Sequence, residues 1–249
     1  MRRYEKPGYS VGRKAGKMHL YSVKAFRIFF LGLFLCLSGL PVTAGEPYFC
    51  MQRGKTLYYE RYDAGTGRLR RTTTMTIEEV RQAGDGRRVG YSFVLGRPSG
   101  AAMYGGPAPM EVSVDADGTV RMDLGASLKA VLGNYLSQSG LTSSGTQALL
   151  PQDMRPGDDL PEAHCVVDAL GMKYRIDVTG RKVLRAERLT VPAGTFDCLV
   201  VREHKVERGP GRHRDTISDS WYVPGVGYVR HDTYDRNLRL ETTEVLKKF

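Results

Sequence analysis

The sequence predicts a mainly β protein: a single curved antiparallel meander, or half-barrel, of about eleven strands wrapped around one α-helix. Three observations carry that expectation. From Gly54 onward, alternating segments are separated by glycine-rich turns. Only one stretch, "GASLKAVLGNYLSQSG", repeats its apolar residues at intervals of three and four. Neither an internal repeat nor a clear linker divides the 249 residues. A two-sheet sandwich is the alternative architecture.

Residues 1–44 read as a signal peptide with an N-terminal extension, and residues 45–249 as one β-rich domain. Lys24 and Arg27 precede an apolar run from Ile28 to Leu40, shorter than the roughly 20 residues needed to span a bilayer. Pro41 then breaks the helix, and Val42 and Ala44 fit the small-residue pattern of a cleavage site, so cleavage is expected after Ala44. A retained anchor is the competing reading, and Met18 is an alternative start. Export to the periplasm or beyond follows, as a soluble rather than an integral membrane protein. Leu35 and Phe49 precede Cys36 and Cys50, which disfavours lipid attachment at either cysteine.

The first half of the domain reads as five strands. "KTLYYERYD", "RLRRTTTMTIEEV" and "RRVGYSFVLG" are joined by "AGTG" and "AGDG", and "MEVSVD" and "TVRMDL" flank "DADG". The β-branched run at Thr72, Thr73, Thr74 and Thr76 favours extended backbone. In the helix, Leu128, Val131, Leu132, Tyr135 and Leu136 form one stripe, with Ser127 as a cap and Gly140 at the stop. That stripe is expected on the face of the sheet, because a short amphipathic helix is marginal alone in water. Residues 137–162 read as the least structured part.

Six further strands are expected in "AHCVVDA", "MKYRIDVTGRKVLRAERLTV", "FDCLVVREHKVE", "TISDSWYV", "GYVRHDTYD" and "RLETTEVLKKF". Lys247 and Lys248 would discourage pairing if the last of these lay at an open edge. "VPAG" at 191–194 suits a type I turn, and "VPGV" at 223–226 suits a type II turn with Gly225 at the position of positive φ. Trp221, the only tryptophan, reads as a core anchor or as a partner of Tyr228 in a pocket beneath the helix. The candidate ligand-binding residues are thus Leu128, Val131, Leu132, Tyr135, Trp221 and Tyr228. Met103, Met110 and Met122 fall near the same region, and the loop "SGAAMYGGPAPM" is a candidate gate.

The stretches "YFCMQRGKTLYYERYD", "LTVPAGTFDCLVV" and "WYVPGVGYVRHDTYD" together resemble the TapB-like family of exported proteins, over most of residues 46–249. That resemblance implies an architecture similar to the open half-barrel of periplasmic lipoprotein carriers, which hold acyl chains between a concave sheet and a helix. It implies a compartment and a fold, and no reaction.

Charge and motifs narrow the chemistry. The net charge is +10, but residues 1–44 hold eight of the 37 basic and one of the 27 acidic residues, which leaves 29 against 26, or +3, for the domain. That excess does not argue for nucleic acid. Residues 45–249 contain no Gly-x-Ser-x-Gly, Cys-x-x-Cys or His-Glu-x-x-His, so no catalytic residue, metal ligand or cofactor is assigned. Cys165 adjoins His164, but neighbours on a strand point to opposite faces. Cys50, Cys165 and Cys198 allow one disulfide plus a thiol, or three buried thiols. The expected role is non-enzymatic binding of an apolar small molecule or an envelope partner. A carboxylate-dependent hydrolase and an assembly module are the alternatives.

Overall fold

The computed structural model describes residues 45–133 and 140–249. The predicted leader with its cleavage site after Ala44 lies outside the described residues, as do Tyr135 and Leu136. Thirteen strands form one open antiparallel sheet. Five come before the helix: β1 (Thr56–Asp63), β2 (Leu69–Ala83), β3 (Gly86–Gly96), β4 (Ala108–Val114) and β5 (Val120–Met122). The helix α1 (Ala126–Gly133) follows, then two short strands, β6 (Leu141–Gly145) and β7 (Ala148–Leu150). The rest are β8 (Ala163–Ala169), β9 (Met172–Val191), β10 (Gly194–Gly209), β11 (Arg212–Val223), β12 (Gly227–Asp235) and β13 (Leu240–Lys248).

The predicted strands all form, and two more appear. β6 and β7 lie inside the stretch expected to be least structured, and they are the two margins of the sheet, whose order is β6-β8-β9-β10-β11-β12-β13-β1-β2-β3-β4-β5-β7. Their sequences, "LTSSG" and "ALL", are too short for an alternating pattern. Partners make them strands: β6 pairs with β8, and β7 with β5. The last strand, β13, does not lie at an open edge but is central. It pairs with β12 on one side and β1 on the other, and Lys247 there meets the Glu60 carboxylate at 3.1 Å.

This order curls the sheet. β6 and β7 stand at opposite margins, yet only Thr146 and Gln147 separate Gly145 from Ala148. Three residue steps span at most about 11 Å, so the margins approach each other there without pairing. Above that point α1 fills the seam, touching β4 on one side and β6 and β8 on the other.

The helix begins at Ala126, so Ser127 lies inside it rather than at its cap, and Asp123 Oδ1 accepts the Gly125 N–H at 2.8 Å in the turn that leads in. Gly125 lies so close to β8 that an added Cβ would stand 2.7 Å from Val167 Cγ2 and 2.8 Å from Cys165 Sγ. Lys129 Nζ then ties the helix to Asp123 and to Ser143 on β6, at 2.8 and 2.7 Å.

The main core lies along the long strands, with Leu57, Ile77, Val89, Val183, Val200 and Leu246 fully enclosed. A small satellite of Cys165, Val167, Ile176 and Val178 packs with Leu124, Leu128 and Tyr174 at the seam. Cys50, Cys165 and Cys198 are free buried thiols. Burial raises the pKa of each, that of Cys198 to about 11, with Glu187 and Asp197 adding to it. The "VPGV" corner forms as read, and "VPAG" joins β9 to β10 as a two-residue hairpin. Val226 N–H donates to Val223 O at 3.2 Å with Gly225 at φ +71°, and Val191 pairs with Gly194 across "PA".

Candidate functional site

Directly opposed residues on neighbouring strands share a face, and one such row crosses five strands. Ser220 on β11 faces His231 on β12, His231 faces Glu244 on β13, Glu244 faces Arg61 on β1, and Arg61 faces Arg71 on β2. At about 4.8 Å per strand the row is about 19 Å long. All five side chains line a cavity of about 400 Å³ inside the curl. Its remaining wall is largely apolar, with Phe49, Met75, Tyr91, Phe93, Met110 and Met122.

Glu244 is the centre of the row and only 2 % exposed. Its carboxylate accepts Arg61 Nη2 at 2.6 Å, Arg61 Nε at 3.2 Å and the Thr73 hydroxyl at 3.0 Å. Burial alone would raise its pKa, but Arg61 and Arg71 outweigh that and hold it below the usual carboxylate range. Arg71 is the poor relation. Its Nη2 stands 3.9 Å from the Glu244 oxygen that Arg61 already holds, and its buried Nε has no hydrogen-bond partner. Burial and the neighbouring Arg61 charge lower its pKa, so the site would gain from a further anion.

His231 Nδ1 lies 2.8 Å from Ser220 Oγ. Burial, helped by the Arg61 charge, lowers the imidazole pKa to about 3 and keeps the ring neutral. Ser220, His231 and Glu244 in one row suggest a nucleophile, base and acid, but the geometry differs. The acid's oxygens are held by Arg61 and Thr73 rather than by the imidazole. A base that releases its proton near pH 3 is a weak acceptor for a serine proton at neutral pH.

Of the residues expected to bind a ligand, Tyr228 lines the cavity, and Trp221 takes the other face. A bulge explains the split: Trp221 pairs with Arg230 and Tyr222 with Tyr228, leaving Val229 as the extra residue. Tyr228 therefore turns inward, stacked on Tyr59 at 4.8 Å and edge-on to His231 at 6.0 Å. Trp221 is buried under Arg230, whose guanidinium lies 4.8 Å from the ring centroid, and its indole N–H donates to Glu187. The core-anchor reading accounts for it.

Leu128 packs into the seam satellite, and Val131 and Leu132 are half-buried and are not among the cavity walls, where the helix contributes only Ser127. The helix stands in the seam rather than over the middle of the sheet, so its stripe meets the satellite. Met110 and Met122 line the cavity and Met103 does not. Tyr104, in the candidate gate loop, is near enough to act on the Arg71 charge. Sequence reasoning passed over Ser220, Glu244, Arg61 and Arg71. Their shared row depends on β13 pairing with β1, which no local pattern encodes.

A DUF3108-like family model matches residues 52–246. The chain belongs to the DUF3108-like family. Two solved structures share the fold seen here. One is a Bacteroides fragilis protein described as exported and as having a YmcC-like fold. It is 20 % identical with a TM-score of 0.65, covering 82 % of this chain and 98 % of that one. The other, described as a lipoprotein of Parabacteroides distasonis, is 22 % identical with a TM-score of 0.66 and the same coverage. No curated protein matches the chain. Among the described residues of this DUF3108-like chain, no helix is long and apolar enough to cross a membrane.

Proposed function

We propose that the chain is an exported, non-enzymatic binding or carrier protein that holds one acidic amphiphile inside the curled sheet. The apolar part lies along Phe49, Met75, Tyr91, Phe93, Met110 and Met122, and the acidic group meets Arg61 and Arg71. The observation that carries this reading is the asymmetry of the cavity: an aromatic and methionine wall beside a row with one guanidinium more than it has carboxylates to neutralise. A volume of about 400 Å³ is within the usual range for small-molecule sites.

Export is supported by the leader-like residues 1–44 and by the descriptions of the two structural neighbours. The resemblance of the turn motifs to the TapB-like family, and the carrier-like architecture that this resemblance implies, support the same reading. The weak base at His231 and the engaged Glu244 support a non-enzymatic role.

Saturable uptake of a fluorescent fatty acid tests the proposal. Arg71→Gln is expected to weaken the acid about tenfold or more, the worth of a hydrogen bond to a charged group, and to leave the matching fatty alcohol unchanged. Failure of the protein to take up either probe, together with native mass spectra free of any bound amphiphile, overturns it.

A further inference from the structure

Antiparallel connectivity sends alternate hairpin tips to the same end of the sheet. The β8–β9, β10–β11, β12–β13, β1–β2 and β3–β4 connections all emerge at one end. Four of the exposed large apolar residues sit on two of these tips: Leu170 and Met172 (62 and 44 % exposed) on β8–β9, and Leu238 and Leu240 (54 and 39 %) on β12–β13. The tips are near level, since Arg208 pairs with Arg175 and Arg214 reaches Glu241 across to the β12–β13 tip at 3.1 Å.

Backbone conformation makes these leucines unusual. Leu170 has φ +56° and Leu238 φ +62°, a region in which a side chain costs about 1 kcal/mol or more and where glycine or asparagine is the ordinary occupant. Neither leucine recovers that cost by burial. Packing within the chain therefore gives no reason for leucine at either position, which is the circumstance in which strain points to a role outside the fold. Around them stand Arg68, Arg97, Lys173, Arg175, Arg236 and Arg239, cations that make no ion pair among the described residues.

We propose that this end of the sheet is a docking rim for a bilayer surface containing anionic phospholipid, with Leu170, Met172, Leu238 and Leu240 entering the headgroup region and the surrounding Arg and Lys meeting lipid phosphates. An acidic protein surface is disfavoured because the apolar residues project as two separate pairs, with the β10–β11 tip between them, rather than as one continuous patch. Glu244, at the middle of β13, is four residues, or about 13 Å, from Leu240 at the rim.

The test is co-sedimentation of the protein isolated from its native source with vesicles of equal parts phosphatidylcholine and phosphatidylglycerol, against pure phosphatidylcholine. Leu170→Asn with Leu238→Asn is the informative double variant, because asparagine suits the left-handed conformation and the thermal midpoint is expected to hold or rise. The expected result is binding to the anionic vesicles alone, weakened tenfold or more in the double variant and by high salt. No binding by the wild type, equal binding by the double variant, or indifference to lipid charge overturns the proposal. So does capture of an acidic protein in place of lipid.

Discussion

The central wall and the seam of this sheet are built on different principles. The wall, β10 through β13 and β1 through β3, consists of long strands paired on both sides, and its inner face carries charge in strict cross-strand order. The seam has strands of three and five residues, a helix with no fully buried residue, and a satellite of four buried side chains. In the wall, register places function, because each polar group is held by the strands beside it. In the seam a few side-chain contacts hold together margins that have no ladder between them. The wall should therefore respond to mutation globally and the seam locally.

The largest effect is expected in the wall. Glu244→Gln removes the buried carboxylate that two half-buried guanidiniums share, which costs up to about 3–5 kcal/mol where a charge is left uncompensated. Urea unfolding should show the whole transition shifted to a lower midpoint. A change confined to part of the molecule would mean that the row is not integral to the wall.

The pH dependence of stability sharpens the same point. His231 has a pKa of about 3 in the folded protein against 6.5 for the free side chain, so between those values the unfolded chain binds the extra proton. The contribution is complete above pH 6.5 and declines as the pH falls toward 3, with a slope of up to about 1.4 kcal/mol per pH unit. His231→Asn should abolish that component. The window from pH 6.5 to 5 is the cleanest, because carboxylates such as Glu244, held below their usual range, have not begun to titrate there.

For the seam, Gly125→Ala forces a methyl against Val167 and Cys165 and should cost about 1–3 kcal/mol. Hydrogen exchange should rise in α1, β6 and β8 and remain unchanged in β11 to β13. A uniform rise would erase the distinction between the two regions. The smallest effect belongs to Lys129→Met, which removes half-exposed contacts to Asp123 and Ser143 and should change stability by under about 1 kcal/mol.

The same division governs what could be read from sequence. Eleven strands were legible because their alternation is local, and the "VPGV" corner because Pro and Gly encode its dihedrals. β6 and β7 were not, since five polar residues and a three-residue apolar run become strands only through β8 and β5. Trp221, read as a core anchor or as the pocket partner of Tyr228, packs on the face away from it because of the bulge at Val229, which is invisible in a run that looks regular. The row from Ser220 to Arg71 joins residues up to 183 positions apart, Arg61 and Glu244, and only the β13–β1 pairing brings them together.

The link through Thr146 and Gln147 bears on how this molecule could admit a guest. It is anchored by Thr146, whose N–H donates to His164 O at 2.8 Å and whose hydroxyl accepts the His164 N–H at 3.0 Å. Two free borders joined by so short a leash can swing apart only as a wedge, pivoting at the tie and widening toward α1 and the Leu170 and Leu238 hairpins. Entry would then be angular, beginning at the mouth beside those hairpins, with the greasy end of the chamber the last to loosen.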